Sequence, residues 1–363
     1  MKINNGISEH KLIQKIDKLE CEFPNKLYIQ EQVKLPIDSS FSNLALFPSN
    51  ATNPFKDIIN YKNIFSRENI LLAFKNQEET RKLQKSLVGI SKDIIDQIIN
   101  ELRGCFSLAI KNINGNYFCS DLIRICSLNQ RIKILKELSN TINEDCTDKF
   151  GSHTIQNLIQ LASSEEEFNL LLASFNDINR ITVPSLHQYG NHVVQKLICN
   201  IPEKYRTYFN SIFVQFVCIL SKNRYGVYTV EKFISWTKDE EILNQFFSSI
   251  LESFIDISRN EFGNYLIQIL LEKWWKRKEG LILKNKIISK FDILSENKYS
   301  SYICSLFIKL CNKEEKRQLL IFLINLKNKR KNNANASILF YINKINNCLQ
   351  KSKNENKNNS EES

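Results

Sequence analysis

The sequence predicts an all-α protein, a solenoid of about eight stacked helical units with a capping segment at each end. Three observations predict it. One stretch, YGNHVVQKLI at residues 189–198, returns along the chain as near-copies at an almost fixed interval. Between the copies Leu, Ile and Phe recur three and four residues apart, the spacing of a buried helix face. Breakers are few, nine glycines and six prolines in 363 residues, while 42% hydrophobic and 25% charged content describes a folded chain.

The other copies are NGNYFCSDLI from Asn114, FGSHTIQNLI from Phe150, RYGVYTVEKFI from Arg224, FGNYLIQILL from Phe262 and YSSYICSLFI from Tyr299. Numbered on the glycine or its replacement, the anchors are Gly115, Gly151, Gly190, Gly226, Gly263 and Ser300, with steps of 36, 39, 36, 37 and 37 residues. Weaker copies stand 36 residues before, at Glu79 (ETRKLQKSL), and 35 after, at Asn335 (NASILFYI). Terminal units of an array are usually atypical.

Residues 1–50 read as a poorly ordered lead-in, 51–350 as the repeat domain and 351–363 as a disordered Lys/Asn-rich tail. A helical pattern from Pro54, with Phe55, Ile58, Ile59, Ile70, Leu71 and Phe74, forms the cap leading into the first unit. In each unit a first helix, such as FNSIFVQFVCILSKN before Gly226 or ILNQFFSSILESFIDISRN before Gly263, precedes a turn, an aromatic residue and the glycine. Lacking a Cβ, that glycine lets two backbones come close. The second helix then opens, and its positions four, seven and eight are apolar: Ile155, Leu158 and Ile159; Val194, Leu197 and Ile198; Ile267, Leu270 and Leu271. This stripe is core. Ser164 with Glu167 makes a capping box, and Pro184 and Pro202 sit where the chain should change direction.

A formal charge of +11 favours a polyanionic partner, nucleic acid before membrane, although Lys327–Lys331 and the tail supply part of it as solvated runs. Ten cysteines form no CxxC pair and only four histidines accompany them, so no zinc site or other cofactor is expected. Cys119, Cys199, Cys218 and Cys304 lie among apolar residues, as reduced thiols do, which fits a reducing compartment. The opening MKINNGISEHKLIQKIDKLE has no apolar signal core, and no stretch approaches the ~18 apolar residues of a membrane helix. Neither secretion nor membrane insertion is expected. Walker loops, GxGxxG, HExxH, GxSxG and any His/Cys/carboxylate cluster are missing, so no enzyme is expected.

Positions one, two and five after the glycine lie off the core stripe, with one and five about 40° apart on the helix surface. In order they are Thr80, Arg81, Gln84; Asn116, Tyr117, Ser120; Ser152, His153, Gln156; and Asn191, His192, Gln195. They continue as Val227, Tyr228, Glu231; Asn264, Tyr265, Gln268; Ser301, Tyr302, Ser305; and Ala336, Ser337, Phe340. Position two is flat everywhere except Ser337, and short polar groups and amides mostly flank it. A planar group between hydrogen-bonding groups suits an unstacked base, whose face stacks while its edge pairs. A solvated helix face would favour Lys and Glu instead.

These repeats resemble the Pumilio (PUF) family, most closely in YGNHVVQKLI and FGNYLIQILL, over roughly residues 55–350. The resemblance implies a right-handed crescent of three-helix repeats with single-stranded RNA antiparallel on its concave face, one base per repeat. It implies that Asn with Gln reads uracil, Ser or Cys with Gln adenine, and Ser with Glu guanine. Asn264/Gln268 over Tyr265 and Asn191/Gln195 over His192 then each read uracil. Thr80/Gln84 with Arg81 and Ser152/Gln156 with His153 resemble adenine readers. Glu231 beside Tyr228 hints at guanine, although Val227 removes the polar partner. Asn116 and Tyr117 are followed by Ser120 in place of Gln. Ser301, Tyr302 and Ser305 lack the acidic group, and the eighth unit has lost the trio. The family's usual UGU is read by units eight to six; here a U-x-U-A-like core read by units six to three is expected.

Phosphate contacts are expected from Lys149, Lys222, Arg224, Arg259 and Lys298. The usual family role is binding 3′ untranslated regions of messenger RNA, with deadenylase or translation-repressor proteins as partners, by a cytoplasmic monomer. Two alternatives stay open: a nucleolar relative acting on pre-ribosomal RNA, and an armadillo- or HEAT-like protein scaffold. Trp274 and Trp275, in KWWKRKEG, could serve a partner or anchor a loop.

Overall fold

The computed structural model describes residues 63–329 and 336–361, with side chains described to residue 350. The lead-in and the start of the proposed cap lie outside them. Among the described residues all regular structure is helical. The fold is the α-solenoid expected.

Units two to seven each contain three helices. In the third unit these are Leu128–Leu138, Ile142–Thr147 and Gly151–Leu161; in the sixth, Glu240–Glu252, Phe254–Arg259 and Gly263–Trp274. What the apolar spacing presents as one first helix is therefore two. The break falls at Gln215–Phe216 in the fifth unit and at Ser253 in the sixth, where φ −94° and ψ 16° leave the helical region. Bending there turns Phe254 and Ile257 onto the same core as Phe246 and Ile250, and all four are fully buried. A straight helix would carry some of them into solvent.

The helix that opens at each anchor, here the signature helix, packs on its counterpart in the next unit in sequence from Gln77–Lys85 through Ser300–Leu310. Positions four, seven and eight are buried as the pattern requires, Ile267, Leu270 and Leu271 completely. Burial at about 25 cal/mol per Å² of apolar surface holds such a stack together. The glycine sits against the carbonyl of the residue six before it: a Cβ on Gly190 would stand 2.6 Å from Pro184 O and 2.7 Å from Pro184 Cα. At Ser300 that contact has become a hydrogen bond, Oγ donating to Leu294 O at 2.7 Å.

Polar bridges tie neighbouring units. Arg131 reaches Glu167 at 2.7 Å, and Glu167 also closes the Ser164 capping box. Buried Asp145 accepts from Ser107, Thr141 and Lys111. Pro202 precedes a first helix, whereas Pro184 lies within Ile178–Ser185, one residue from its end. Trp274 packs edge-on against Phe246 and Phe247 within unit six, whereas Trp275 lies against Phe307 under Lys284 Nζ at 3.6 Å and so serves the joint between units six and seven. The last helix, Ala336–Glu361, runs past Gln350 into the segment that composition reads as tail. Extending an anchored helix avoids the cost of nucleation.

Candidate nucleic-acid interface

Each signature helix starts from the same turn. The residue three before the anchor accepts backbone N–H groups: Asn260 Oδ1 takes those of Phe262 and Gly263 at 2.9 Å. Asn112, Asp148, Asn223 and Asn297 do the same, and Asn76 caps the first unit's helix. In the fourth unit His187 Nδ1 takes the place, accepting from Tyr189 N at 3.3 Å, and burial lowers that imidazole's pKa. The sequence carries this signal as N-x-x-G, D-x-x-G and H-x-x-G, a spacing that the glycine anchors by themselves do not display.

Position one closes the turn from below. Asn264 Nδ2 donates to Asn260 O at 3.0 Å and Glu261 O at 2.8 Å, and its Oδ1 accepts from Gln268 Nε2 at 2.9 Å. Asn191 repeats all three contacts with His187, Gln188 and Gln195. Ser301 and Ser152 bond to the carbonyls of Lys298 and Lys149. Thr80 Oγ1 donates to Ala73 O. Thr80, Asn116, Ser152, Asn191, Val227 and Asn264 are all buried, Ser301 less so. The trio is thus not three fingers on one open face. Its first member is mostly an internal brace.

Position two is the exposed member. Tyr117, Tyr228, Tyr265 and Tyr302 are 50–60% exposed, and Arg81, His153 and His192 are also open. Because each ring stands at the same place on successive packed helices, the structure aligns them in one row. Partial burial of the His192 imidazole lowers its pKa, and His153 adds to the shift.

Position five is half-buried at Gln84, Gln156, Gln195, Glu231, Gln268 and Ser305. With one Nε2 hydrogen fixed on the asparagine, Gln195 and Gln268 each keep one N–H and the Oε1 for an outside edge carrying one donor and one acceptor. Gln156 Nε2 is held by Ser152 O at 3.2 Å. Elsewhere the position is diverted. Gln84 Nε2 bonds to Asp121 of the next unit, Ser120 is buried against Thr154 Oγ1 at 3.4 Å, and Glu231 lies 3.9 Å from Lys273 Nζ. In the eighth unit Ser337 bonds to Ser295, while Phe340 is exposed.

An α-turn hydrogen bond from position one to the capping residue, as in Ser152 N to Asp148 O, puts the residue two before the anchor one turn below position two. Lys149, Arg224 and Lys298 occupy that place, each over the aromatic ring that follows it, Phe150, Tyr225 and Tyr299. Lys222 and Arg259 are exposed two residues earlier, before the turn. Among the described residues no cluster could hold a metal ion, and no helix is long and apolar enough to cross a membrane.

A profile of the Pumilio-family RNA binding repeat matches residues 146–173, 185–208 and 253–274, which hold the three signature helices with an open glutamine at position five. Pumilio homolog 12 of Arabidopsis thaliana is 23% identical over 83% of this chain and 49% of its own length. Fem-3 mRNA-binding factor 1 of Caenorhabditis elegans is 23% identical over 61% and 40%. The RNA-binding domain of yeast Puf5p bound to SMX2 RNA superposes with a TM-score of 0.62 at 20% identity, covering 78% of this chain and 82% of that one. Residues 146–173, 185–208 and 253–274 are thus similar to Pumilio-family RNA binding repeats, and the likeness to the Puf5p domain shows the same solenoid fold. It spans about half the length, or less, of the curated relatives it matches.

Proposed function

We propose that this chain binds single-stranded RNA sequence-specifically along the row of position-two side chains, one base per unit. The observation that carries the reading is that row: seven planar side chains, all open, in register on helices whose other faces are packed. Bases stack between rings of this kind, and each stacked base contributes ~1–3 kcal/mol. The free N–H and Oε1 of Gln195 and Gln268 match the N3–H and a carbonyl of uracil. Units four and six therefore read uracils two nucleotides apart, and Gln156 of unit three reads adenine. Lys149, Arg224 and Lys298 sit where the backbone phosphates would pass.

The bound Puf structures include a 3′ untranslated recognition sequence of HO endonuclease RNA, and one relative is named for messenger RNA binding. These support a role in messenger RNA regulation over pre-ribosomal RNA; the cytoplasm as its place and the recruitment of repressor or deadenylase proteins by the RNA-bound protein are part of the same proposal. The test is selection from a random RNA pool, followed by the double variant Asn191→Ser, Gln195→Glu. Two enriched uracils with one nucleotide between them are expected, and the variant should move the unit-four preference alone towards guanine. A pool with no such pair of uracils overturns the reading.

A further inference from the structure

The seventh unit lacks a long side chain at position five, yet its slot is not empty. Lys344, from the last helix, places Nζ 3.0 Å from Ser305 Oγ. The ammonium is steered there by the rings of Phe340 and Tyr341, each 5.8 Å away. Tyr341 is pinned in turn, its hydroxyl donating to Ser301 O at 2.9 Å and its ring lying edge-on to buried Phe291. Lys344 remains partly exposed, and Tyr302 stands open beside it as the stacking member.

We propose that Lys344 is the specificity-determining residue of the seventh slot, supplied across the repeat boundary in place of the residue at position five. This rests on the RNA reading above. An ammonium donates three hydrogen bonds and accepts none, and Ser305 takes one. The slot therefore presents only donors to the base stacked on Tyr302. A base edge with two adjacent acceptors satisfies it, cytosine through O2 and N3 or guanine through O6 and N7. Uracil sets N3–H between its two carbonyls and adenine sets its N6 amine between N1 and N7, so on these edges neither offers adjacent acceptors and one ammonium hydrogen is left unpaired.

The test uses the full chain and RNAs with two uracils in the register of units four and six. The nucleotide beside the unit-six uracil, on the side away from unit four, is varied over all four bases. Wild type is expected to favour cytosine or guanine there by a factor on the order of ten. Lys344→Met, which keeps the apolar stem, should flatten that preference and leave both uracil preferences intact; their persistence also shows that the array is folded. Ser305→Ala, which frees the ammonium, should blur the same preference. Equal weakening for all four bases, with a salt slope shallower by about 0.7, would make Lys344 a phosphate contact and overturn the proposal. So would a wild type indifferent to this nucleotide. Loss of uracil preference at units four and six in the wild type would instead sink the RNA reading itself.

Discussion

Replacing Asn264 by alanine separates a structural brace from a base contact. The residue is 1% exposed, and alanine strips the donors from Asn260 O and Glu261 O. Each such bond is worth about 1 kcal/mol, and Asn260 O keeps the Asn264 N–H at 3.2 Å, so the sixth unit should lose about 1–2 kcal/mol. The third bond, to half-buried Gln268, adds little stability but aims the amide. Asn264→Ser tells the two effects apart. Serine keeps a donor to the carbonyl three residues back, as Ser301 Oγ does to Lys298 O at 2.7 Å, but leaves Gln268 unheld. Units of a stack open separately, so the assay is native-state hydrogen exchange along Gly263–Trp274, beside RNA binding by fluorescence anisotropy. The alanine variant should exchange roughly 5- to 30-fold faster by that free-energy cost, the serine variant less so, and both should lose uracil preference opposite unit six. Unchanged exchange in the alanine variant would refute the brace.

Three further outcomes follow from the same geometry. His187→Asn should restore the acceptor that most other units use; because folding depresses the His187 pKa, wild-type stability is full above the unfolded value of about 6.5 and falls as pH drops through the folded one, so urea midpoints of the two proteins should diverge on acidification. Gly190→Ala pushes a methyl into the Pro184 backbone and should cost about 1–3 kcal/mol by urea denaturation, with the loss confined to the middle of the array. Arg131→Leu leaves Glu167, 1% exposed, without its cation; about 3 kcal/mol should be lost near neutral pH, while the further loss on acidification should be smaller than in wild type, since burial raises that carboxyl's pKa and the guanidinium that helps hold it down is gone.

The array was legible because its cause is periodic. Gly115 to Ser300 mark the close contact between helices, and the Ile155, Leu158, Ile159 stripe follows directly from helix geometry. The bend at Ser253 was hidden because the residues on both sides keep helical spacing while the backbone changes direction. Trios were legible as residue types but not as roles. Helical phase places Asn264 near Gln268, yet whether an amide faces solvent or a carbonyl depends on the turn beneath it, which only coordinates show. Long-range captures were beyond reach for the same reason: Gln84 with Asp121 and Ser305 with Lys344 join residues in different units.

The turn beneath each slot also limits how such a protein can change its preferences. The side chain at position one must keep the helix start satisfied before it can serve anything outside, which leaves asparagine, serine, threonine or, at a loss of polarity, the Val227 solution. Position five carries little of that duty. Drift in target choice should therefore run through the glutamine, or through a neighbour such as Lys344 that reaches in from the next unit, while the residue below it changes only among the few that hold the scaffold shut.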